Sequence, residues 1–125
     1  MELNDISGSI LDCALKVHSA LGPGLLESVY EACLNYELRK RGVSVERQRP
    51  FPVIYDSVTI DLGFRIDLLV EDSVIVEVKA VERFAPIHEA QLLSYLKLTG
   101  LRLGLLLNFN VHHMKDGVRR MVNNL

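Results

Sequence analysis

The apolar residues of the first forty positions recur at the three-and-four spacing of helices that bury one face. The first stripe comprises Ile6, Ile10, Cys13, Val17 and Leu21. The second stripe comprises Leu26, Val29, Tyr30, Cys33, Leu34 and Leu38. Asn4 or Asp5 is suited to cap the first helix, and Gly42 to end the second. Two consecutive helices are therefore predicted.

From residue 43 to residue 80 the helical spacing gives way to β-branched and aromatic runs separated by turn residues. Residues 43–48, 51–55, 58–62, 64–70 and 74–80 are predicted as strands. Pro52 places its strand at a sheet edge, because proline cannot donate to a backbone ladder. Gly63 is expected to mark a bulge or a bend between two strand segments. These runs predict an antiparallel meander.

The last third of the chain predicts a helix followed by a buried strand. Pro86 suits the first turn of a helix that runs to about Thr99, with Gly100 as its stop. Residues 103–108 (LGLLLN) form a near-continuous apolar run, which is typical of strands covered on both faces. A right-handed crossover would place this run parallel to an earlier strand. Residues 114–122 fit either a short helix or an edge strand.

These elements predict an α/β (α+β) fold in which helices flank a central mixed sheet that contains the antiparallel meander. With 125 residues, of which 49% are hydrophobic and 24% charged, the chain is expected to form a single globular domain over residues 1–125. No apolar run has the length of a membrane span, and the first ten residues do not have the pattern of a signal peptide. We therefore expect a cytoplasmic protein without a membrane partner.

The net charge of −2 does not by itself indicate a nucleic-acid-binding protein, because such domains usually carry a basic surplus. The densest basic run, residues 39–41, is followed by Arg47 and Arg49, and it is more simply explained as the solvated end of a helix. Cys13 and Cys33 fall in the helical apolar stripes and are expected to be buried free thiols.

Charged residues lie inside the predicted hairpin of residues 65–79 (RIDLLVEDSVIVEVK). If the turn contains the three residues 71–73, Asp67 lies directly across from Glu77 on one face of the hairpin. A turn of two or four residues would instead place Asp67 opposite Val78, on the other face. A three-residue turn is therefore part of the prediction.

This opposed pair of acids points to a metal site. Directly opposed Cβ atoms lie about 4.5 to 5.5 Å apart, so two carboxylates there repel unless a cation such as a divalent metal lies between them. Lys79 is expected on the same face, opposite Arg65, where it would add positive charge beside the carboxylates. The ordinary alternative is a solvated hairpin face, because D…E-x-K patterns with variable spacing occur in many unrelated chains.

Two helices carry further polar candidates. Glu27 is either a third acidic group reaching toward the hairpin or a carboxylate that compensates a helix dipole. On the third helix His88, Gln91 and Tyr95 fall on one side, which faces either the hairpin or solvent. The buried side of that helix is expected to include Ile87, Ala90, Leu93 and Leu96.

The order of these elements and motifs resembles the PD-(D/E)XK nuclease superfamily, and more closely the small GxxExxY family within it. Residues 24–30 (GLLESVY) fit the motif that names that family. The similarity continues through Asp67, residues 77–79, residues 88–95 and residues 103–110. It extends from about residue 6 to residue 122, and several separated motifs agree in order. The resemblance implies a restriction-endonuclease-like core.

What the resemblance implies for function is metal-dependent hydrolysis of nucleic-acid phosphodiester bonds, with DNA favoured over RNA. Asp67 and Glu77 correspond to the metal-binding carboxylates, and together with the backbone carbonyl of Val78 they would hold Mg²⁺ or Mn²⁺. Glu27 corresponds to an acidic residue on an early helix that supports the site or binds a second ion.

The remaining correspondences concern the reaction and the substrate. Lys79 would orient the attacking water or offset the charge of the transition state. Gln91 and Tyr95 resemble a Q-x-x-x-Y element that helps to place the strand to be cut. The alternatives are a non-catalytic nucleic-acid- or protein-binding module on the same fold and, least favoured, a purely structural domain. The oligomeric state stays open, and a homodimer would allow both strands of a duplex to be cut.

Overall fold

The computed structural model describes all 125 residues as three helices and a five-stranded sheet, with a short 3₁₀ helix before the last strand. In chain order these are α1 (Leu3–Leu21), α2 (Glu27–Lys40), β1 (Val45–Tyr55), β2 (Val58–Val70), β3 (Val74–Lys79), α3 (Pro86–Thr99), β4 (Leu103–Asn108), the 3₁₀ helix (Met114–Gly117) and β5 (Val118–Val122). The strands are ordered β1-β2-β3-β4-β5, and only β3 and β4 run parallel. The predicted mixed α/β fold is confirmed.

The helices cover both faces of the sheet. One buried cluster joins α1 and α2 to the sheet, and we call it the α1–α2 core. A smaller cluster joins α3 to the opposite face, and we call it the α3 core. Leu105 and Leu107 of β4 belong to the first core, whereas Leu106 belongs to the second. The expectation that residues 103–108 form a strand covered on both faces is therefore confirmed.

The hairpin of β2 and β3 has the predicted register. Val70 pairs with Val74 across a turn of three residues, and the last regular pair is Leu68 with Val76. Glu71 and Asp72 in the turn both have φ of 52°, the left-handed conformation that closes such a tight connection. Continued by one pair, this register would bring Asp67 opposite Glu77, although the regular pairing stops before them.

At Asp67 the side chains of β2 change the face of the sheet on which they lie. Leu68 is buried in the α1–α2 core, but Ile66, two residues earlier, is buried in the α3 core. Residues two apart on a regular strand share one face, so the alternation is broken between them. Asp67 therefore lies at a local bend rather than within a uniform strand.

β1 turns over at the same level. Val45 packs in the α1–α2 core and Phe51 against the α3 core, although six residues separate them. Gln48 lies between these two positions with a φ of 51°, and the pairing of β1 with β2 omits Gln48 and Asp67. The two strands thus reverse their faces together at the Gln48–Asp67 level.

β1 and β2 each join two of the predicted strand segments. A register shift between Phe51 and Val53 marks a bulge, and Gly63 lies opposite it. A Cβ atom at Gly63 would lie 1.7 Å from the carbonyl oxygen of Phe51, so only glycine permits this approach. The predicted bulge at Gly63 and the edge position of Pro52 are both confirmed.

The start of α1 differs from the sequence-based expectation. α1 begins at Leu3 with Glu2 before it, so neither Asn4 nor Asp5 is its N-cap. α1 ends at Leu21, and Gly22 follows it as the C-cap. None of the helices combines the length and the apolar character that a membrane span requires.

The buried side of α3 also differs from the prediction. Leu96 is buried as predicted and Leu93 is half-buried, but Ile87 and Ala90 are exposed and Leu92 is buried in their place. Leu92 packs against Gly104 of β4, where an added Cβ atom would lie 2.8 Å from Leu92 Cδ1. Because Gly104 leaves space for Leu92, this side of α3 packs against the sheet. Helical periodicity alone does not predict that contact.

Candidate metal centre

Asp67 and Glu77 lie on neighbouring strands, just beyond the last regular pair of the β2–β3 hairpin. Glu77 Oε2 accepts a 2.9 Å hydrogen bond from the backbone N–H of Asp67. Asp67 Oδ2 in turn accepts a 2.8 Å hydrogen bond from the backbone N–H of Val78. Each carboxylate thus bonds to the backbone of the opposite strand where the regular ladder has ended. These reciprocal bonds hold the two acids close together.

The surroundings of Asp67 and Glu77 disfavour the ionisation of both carboxyl groups. Glu77 is only 4% exposed, and burial, followed by repulsion from Asp67, raises its pKa to about 8. Burial also raises the pKa of Asp67, while the N–H of Val78 and the amide of Gln48 act in the opposite direction. At neutral pH and without a bound cation, Glu77 is therefore largely protonated.

Lys79 lies at the end of β3, two positions beyond Glu77, and its side chain is half-buried. Its positive charge lowers the pKa of both Asp67 and Glu77, although burial outweighs this effect. Lys79 takes part in no salt bridge. The ammonium group therefore acts electrostatically on both acids and is not neutralised by a salt bridge.

Glu27 approaches the same end of β3 from the first turn of α2. Its Oε2 accepts a 3.1 Å hydrogen bond from the backbone N–H of Ala80, the residue after Lys79. Its charge also contributes to the raised pKa of Asp67, after burial. Glu27 is exposed, so it lies at the rim of the acidic pair rather than between its members.

Tyr30 accounts for part of the spacing in the GLLESVY motif. Its hydroxyl donates a 2.6 Å hydrogen bond to the carbonyl of Gly22 and accepts one of 3.1 Å from the N–H of Leu25. Its ring is fully buried and stacks on Phe109 at 4.7 Å between centroids. Tyr30 therefore ties down the loop that leads into α2, and the start of α2 places Glu27.

The two candidates on α3 differ in their positions. Tyr95 stacks on Phe64 with 4.3 Å between ring centroids, and its pKa is raised by burial and then by the charges of Glu77 and Asp67. Tyr95 therefore lies close to the acidic pair. The side chain of Gln91, by contrast, is exposed and hydrogen-bonds to no other residue, so the fold alone does not engage it with the site.

Two further residues approach the site that the sequence did not single out. Glu31 is 7% exposed, accepts hydrogen bonds of 3.1 and 3.2 Å from Arg47, and accepts another of 2.8 Å from Gln48. Gln48 also donates a 3.2 Å hydrogen bond to Asp67 Oδ1. The sequence did contain one indication of the role of Glu31. It follows Tyr30 on the buried side of α2, where a carboxylate requires a partner.

Residues 4–121 match the family model of the PD-(D/E)XK nuclease superfamily. The chain belongs to this superfamily. No curated protein and no solved structure matches it. The five-stranded mixed sheet, with α1 and α2 on one face and α3 on the other, is the restriction-endonuclease-like fold that the PD-(D/E)XK assignment implies.

PD-(D/E)XK nucleases typically use divalent metal ions, and the donors at Asp67 and Glu77 fit such an ion. Carboxylate oxygens are the ligands that Mg²⁺ and Mn²⁺ prefer, and Glu77 Oε1 accepts no hydrogen bond within the chain. No group of three or more His, Cys, Asp or Glu side chains is arranged to hold an ion. Further ligands would therefore be backbone carbonyls or the several waters that Mg²⁺ usually retains.

Proposed function

We propose that this chain is a metal-dependent nuclease that hydrolyses phosphodiester bonds and whose reaction takes place at the Asp67–Glu77 pair. The observation that carries the proposal is the reciprocal bonding of these two acids across β2 and β3. It holds two carboxylates where burial, and then their mutual repulsion, raises the pKa of Glu77, and a divalent cation would relieve that repulsion. Lys79 lies on the same strand and is available to an anionic substrate.

Asp67, Glu77 and the backbone carbonyl of Val78 would hold Mg²⁺ or Mn²⁺. When bound, such an ion supplies a Lewis acid for the phosphate and lowers the pKa of a coordinated water. Both acids must be ionised to act as ligands. The charge of Lys79 favours that state, because it lowers the pKa of each.

Lys79 is assigned the role of stabilising negative charge on the phosphate or orienting the attacking water. An ammonium without a carboxylate partner keeps its charge available for a phosphate oxygen, and partial burial strengthens that interaction relative to water. Glu27, already bonded to the N–H of Ala80, would bind a second ion or hold the chain that follows Lys79. Tyr95 and Gln91 would place the strand to be cut, with Tyr95 nearer to the acids.

We assign the chain to the GxxExxY family and favour DNA over RNA as the substrate. The family assignment rests on residues 24–30 and on the bonding of Tyr30, which gives that motif a structural reason. The exposed cations Arg65 and Arg83 form no salt bridge, and they lie two residues from Asp67 and four residues from Lys79 in the chain, respectively. They are available for phosphate contacts.

The test is a cleavage assay on single-stranded, double-stranded and branched DNA and on RNA, with Mg²⁺, Mn²⁺ or chelator. We expect product only with metal, and we expect Lys79→Ala to lower the rate at least about 100-fold, comparable to the loss of a group that stabilises transition-state charge. Lys97→Ala is the matched control, because Lys97 is an exposed lysine of the last turn of α3. Equal rates for Lys79→Ala and the parent would contradict the role of Lys79.

A second candidate is a non-catalytic module that binds nucleic acid or protein in the same place. The arrangement of basic residues favours it: Arg41 pairs with Asp12, Arg47 with Glu31, and Arg49 with Glu46 and Asp72. The basic run that could have formed a broad nucleic-acid surface is thus largely paired, in a chain of net charge −2. Binding in the same assay without metal-dependent product would support this candidate.

A further inference from the structure

The side-chain amide of Gln48 lies between two carboxylates. Its Nε2 donates a 2.8 Å hydrogen bond to Glu31 Oε1 and a 3.2 Å hydrogen bond to Asp67 Oδ1. Because both partners only accept hydrogen bonds when ionised, the nitrogen must face them, and the opposite orientation would direct the amide oxygen at two anions. Both protons of this one nitrogen are therefore used to bridge the two acids.

This bridge occupies the place where the backbone ladder is interrupted. Arg47 pairs with Leu68 and Arg49 with Ile66, but the intervening pair of Gln48 with Asp67 is absent. Both strands turn over at this level, and Gln48 has the left-handed φ of 51°. A non-glycine residue in that conformation is strained, and such strain persists where surrounding contacts require it.

The orientation of Asp67 consequently depends on side chains as well as on the ladder. Its Oδ2 is held by the N–H of Val78, and its Oδ1 is held by Gln48. Gln48 is itself anchored by Glu31, which two bonds from Arg47 fix in turn. The chain of contacts connects the buried side of α2 to one oxygen of a proposed metal ligand.

We infer that Gln48 is a positioning residue that aims Asp67 at the cation, with Glu31 and Arg47 as its support. The inference rests on the proposed function, because Asp67 is a metal ligand only if the site binds metal. It assigns a role to a residue of β1, a strand that provides none of the proposed ligands. Partners that orient metal ligands typically contribute about 10- to 100-fold to metal affinity.

The test measures Mn²⁺ affinity by isothermal titration calorimetry, with thermal unfolding in chelator recorded on the same samples. Gln48→Met keeps the length of the side chain and removes both donors, so we expect Mn²⁺ to bind at least about 10-fold more weakly to a chain that remains folded. Asn35→Ala is the matched control, because it removes an amide that contacts only Arg39 on α2. The control should bind Mn²⁺ like the parent.

A second variant separates the loss of the amide from a loss of the fold. Gln48→Gly removes the same amide but suits the left-handed backbone, so it should fold at least as well and show the same loss of Mn²⁺ affinity. If either folded variant binds Mn²⁺ as tightly as the parent, Gln48 is only a structural link between strands and the inference is wrong. If the parent itself binds no Mn²⁺, the metal site and the inference that depends on it are both wrong.

Discussion

At the scale of single residues, Glu77 combines burial with a close acidic neighbour, and this combination makes stability depend on pH. The pKa of Glu77 rises from its ordinary value of 4.5 to about 8 in the folded chain, chiefly through burial and then through Asp67. Between these two values the folded chain binds more protons than the unfolded chain. The free energy of unfolding therefore falls as pH rises through this window and levels off above about pH 8.

Glu77→Gln should remove most of that dependence. Glutamine keeps a carbonyl oxygen to accept the N–H of Asp67 but carries no charge, so in chelator the variant should be more stable than the parent near pH 8. One pKa unit corresponds to about 1.4 kcal/mol, and we expect a gain of a few kcal/mol, up to about 5. Urea unfolding at pH 5 and pH 8 measures it. A parent chain whose stability is equal at both pH values would contradict this assignment.

The prediction of these residues from sequence succeeded where a turn length determined it. The three-residue turn at 71–73 is confirmed, and just beyond its last regular pair Asp67 and Glu77 bond to each other's strands. Gln48 could not be predicted in the same way, because its contact with Asp67 requires a left-handed backbone and a reversal of both strands. Gln48 lies between two arginines in the sequence, and this pattern predicts neither the left-handed backbone nor the strand reversal.

At the scale of elements, the position of Glu27 depends on how α2 begins. α2 has no side-chain cap at its first residue, and the preceding loop is held by the hydroxyl of Tyr30 through Gly22 and Leu25. The loss of this hydroxyl leaves a backbone carbonyl and an N–H without their partner. The element that carries Glu27 should then be less firmly fixed.

Tyr30→Phe should accordingly lower the free energy of unfolding by about 1 to 3 kcal/mol while preserving the stack on Phe109. Tyr36→Phe on the same helix is the control, because Tyr36 is 62% exposed and its hydroxyl makes no hydrogen bond within the chain. The measurement is urea unfolding of both variants. Equal stability of the two would show that the hydroxyl of Tyr30 does not hold the loop.

The elements themselves were largely predictable, since Gly22, Gly100 and Pro86 mark helix ends and β-branched runs mark strands. The face of α3 that packs against the sheet was not predictable. Its apolar residues surround the helix, so periodicity favoured Ile87 and Ala90, whereas the contact between Leu92 and Gly104 decides which side is buried.

At the scale of the whole molecule, charge pairing limits how the chain can bind nucleic acid. Five of the six lysines and arginines that precede β2 are paired with acids, which leaves few free cations near the site. Arg65, Lys79 and Arg83 are the nearest in the chain without a salt bridge. Nucleic-acid affinity should therefore depend only modestly on salt.

If about three phosphates are neutralised, the logarithm of the binding constant should fall with the logarithm of salt concentration at a slope of about −3 for duplex DNA. The slope is measured by fluorescence anisotropy at salt concentrations from about 50 to about 200 mM. Ca²⁺ is the divalent ion in this measurement because it limits cleavage. Arg65→Ala should reduce it by about one. A slope far steeper than this would mean that a broader basic surface is used.

Metal-dependent hydrolysis at this site requires that Asp67 and Glu77 hold one divalent cation. The decisive measurement is anomalous diffraction from a crystal of this chain soaked with Mn²⁺, compared with an identically treated crystal of Asp67→Asn. We expect one strong anomalous peak in contact with both carboxylates in the parent and a weakened or absent peak in the variant. No peak at the parent's acidic pair, or an equal peak in the two crystals, would contradict it.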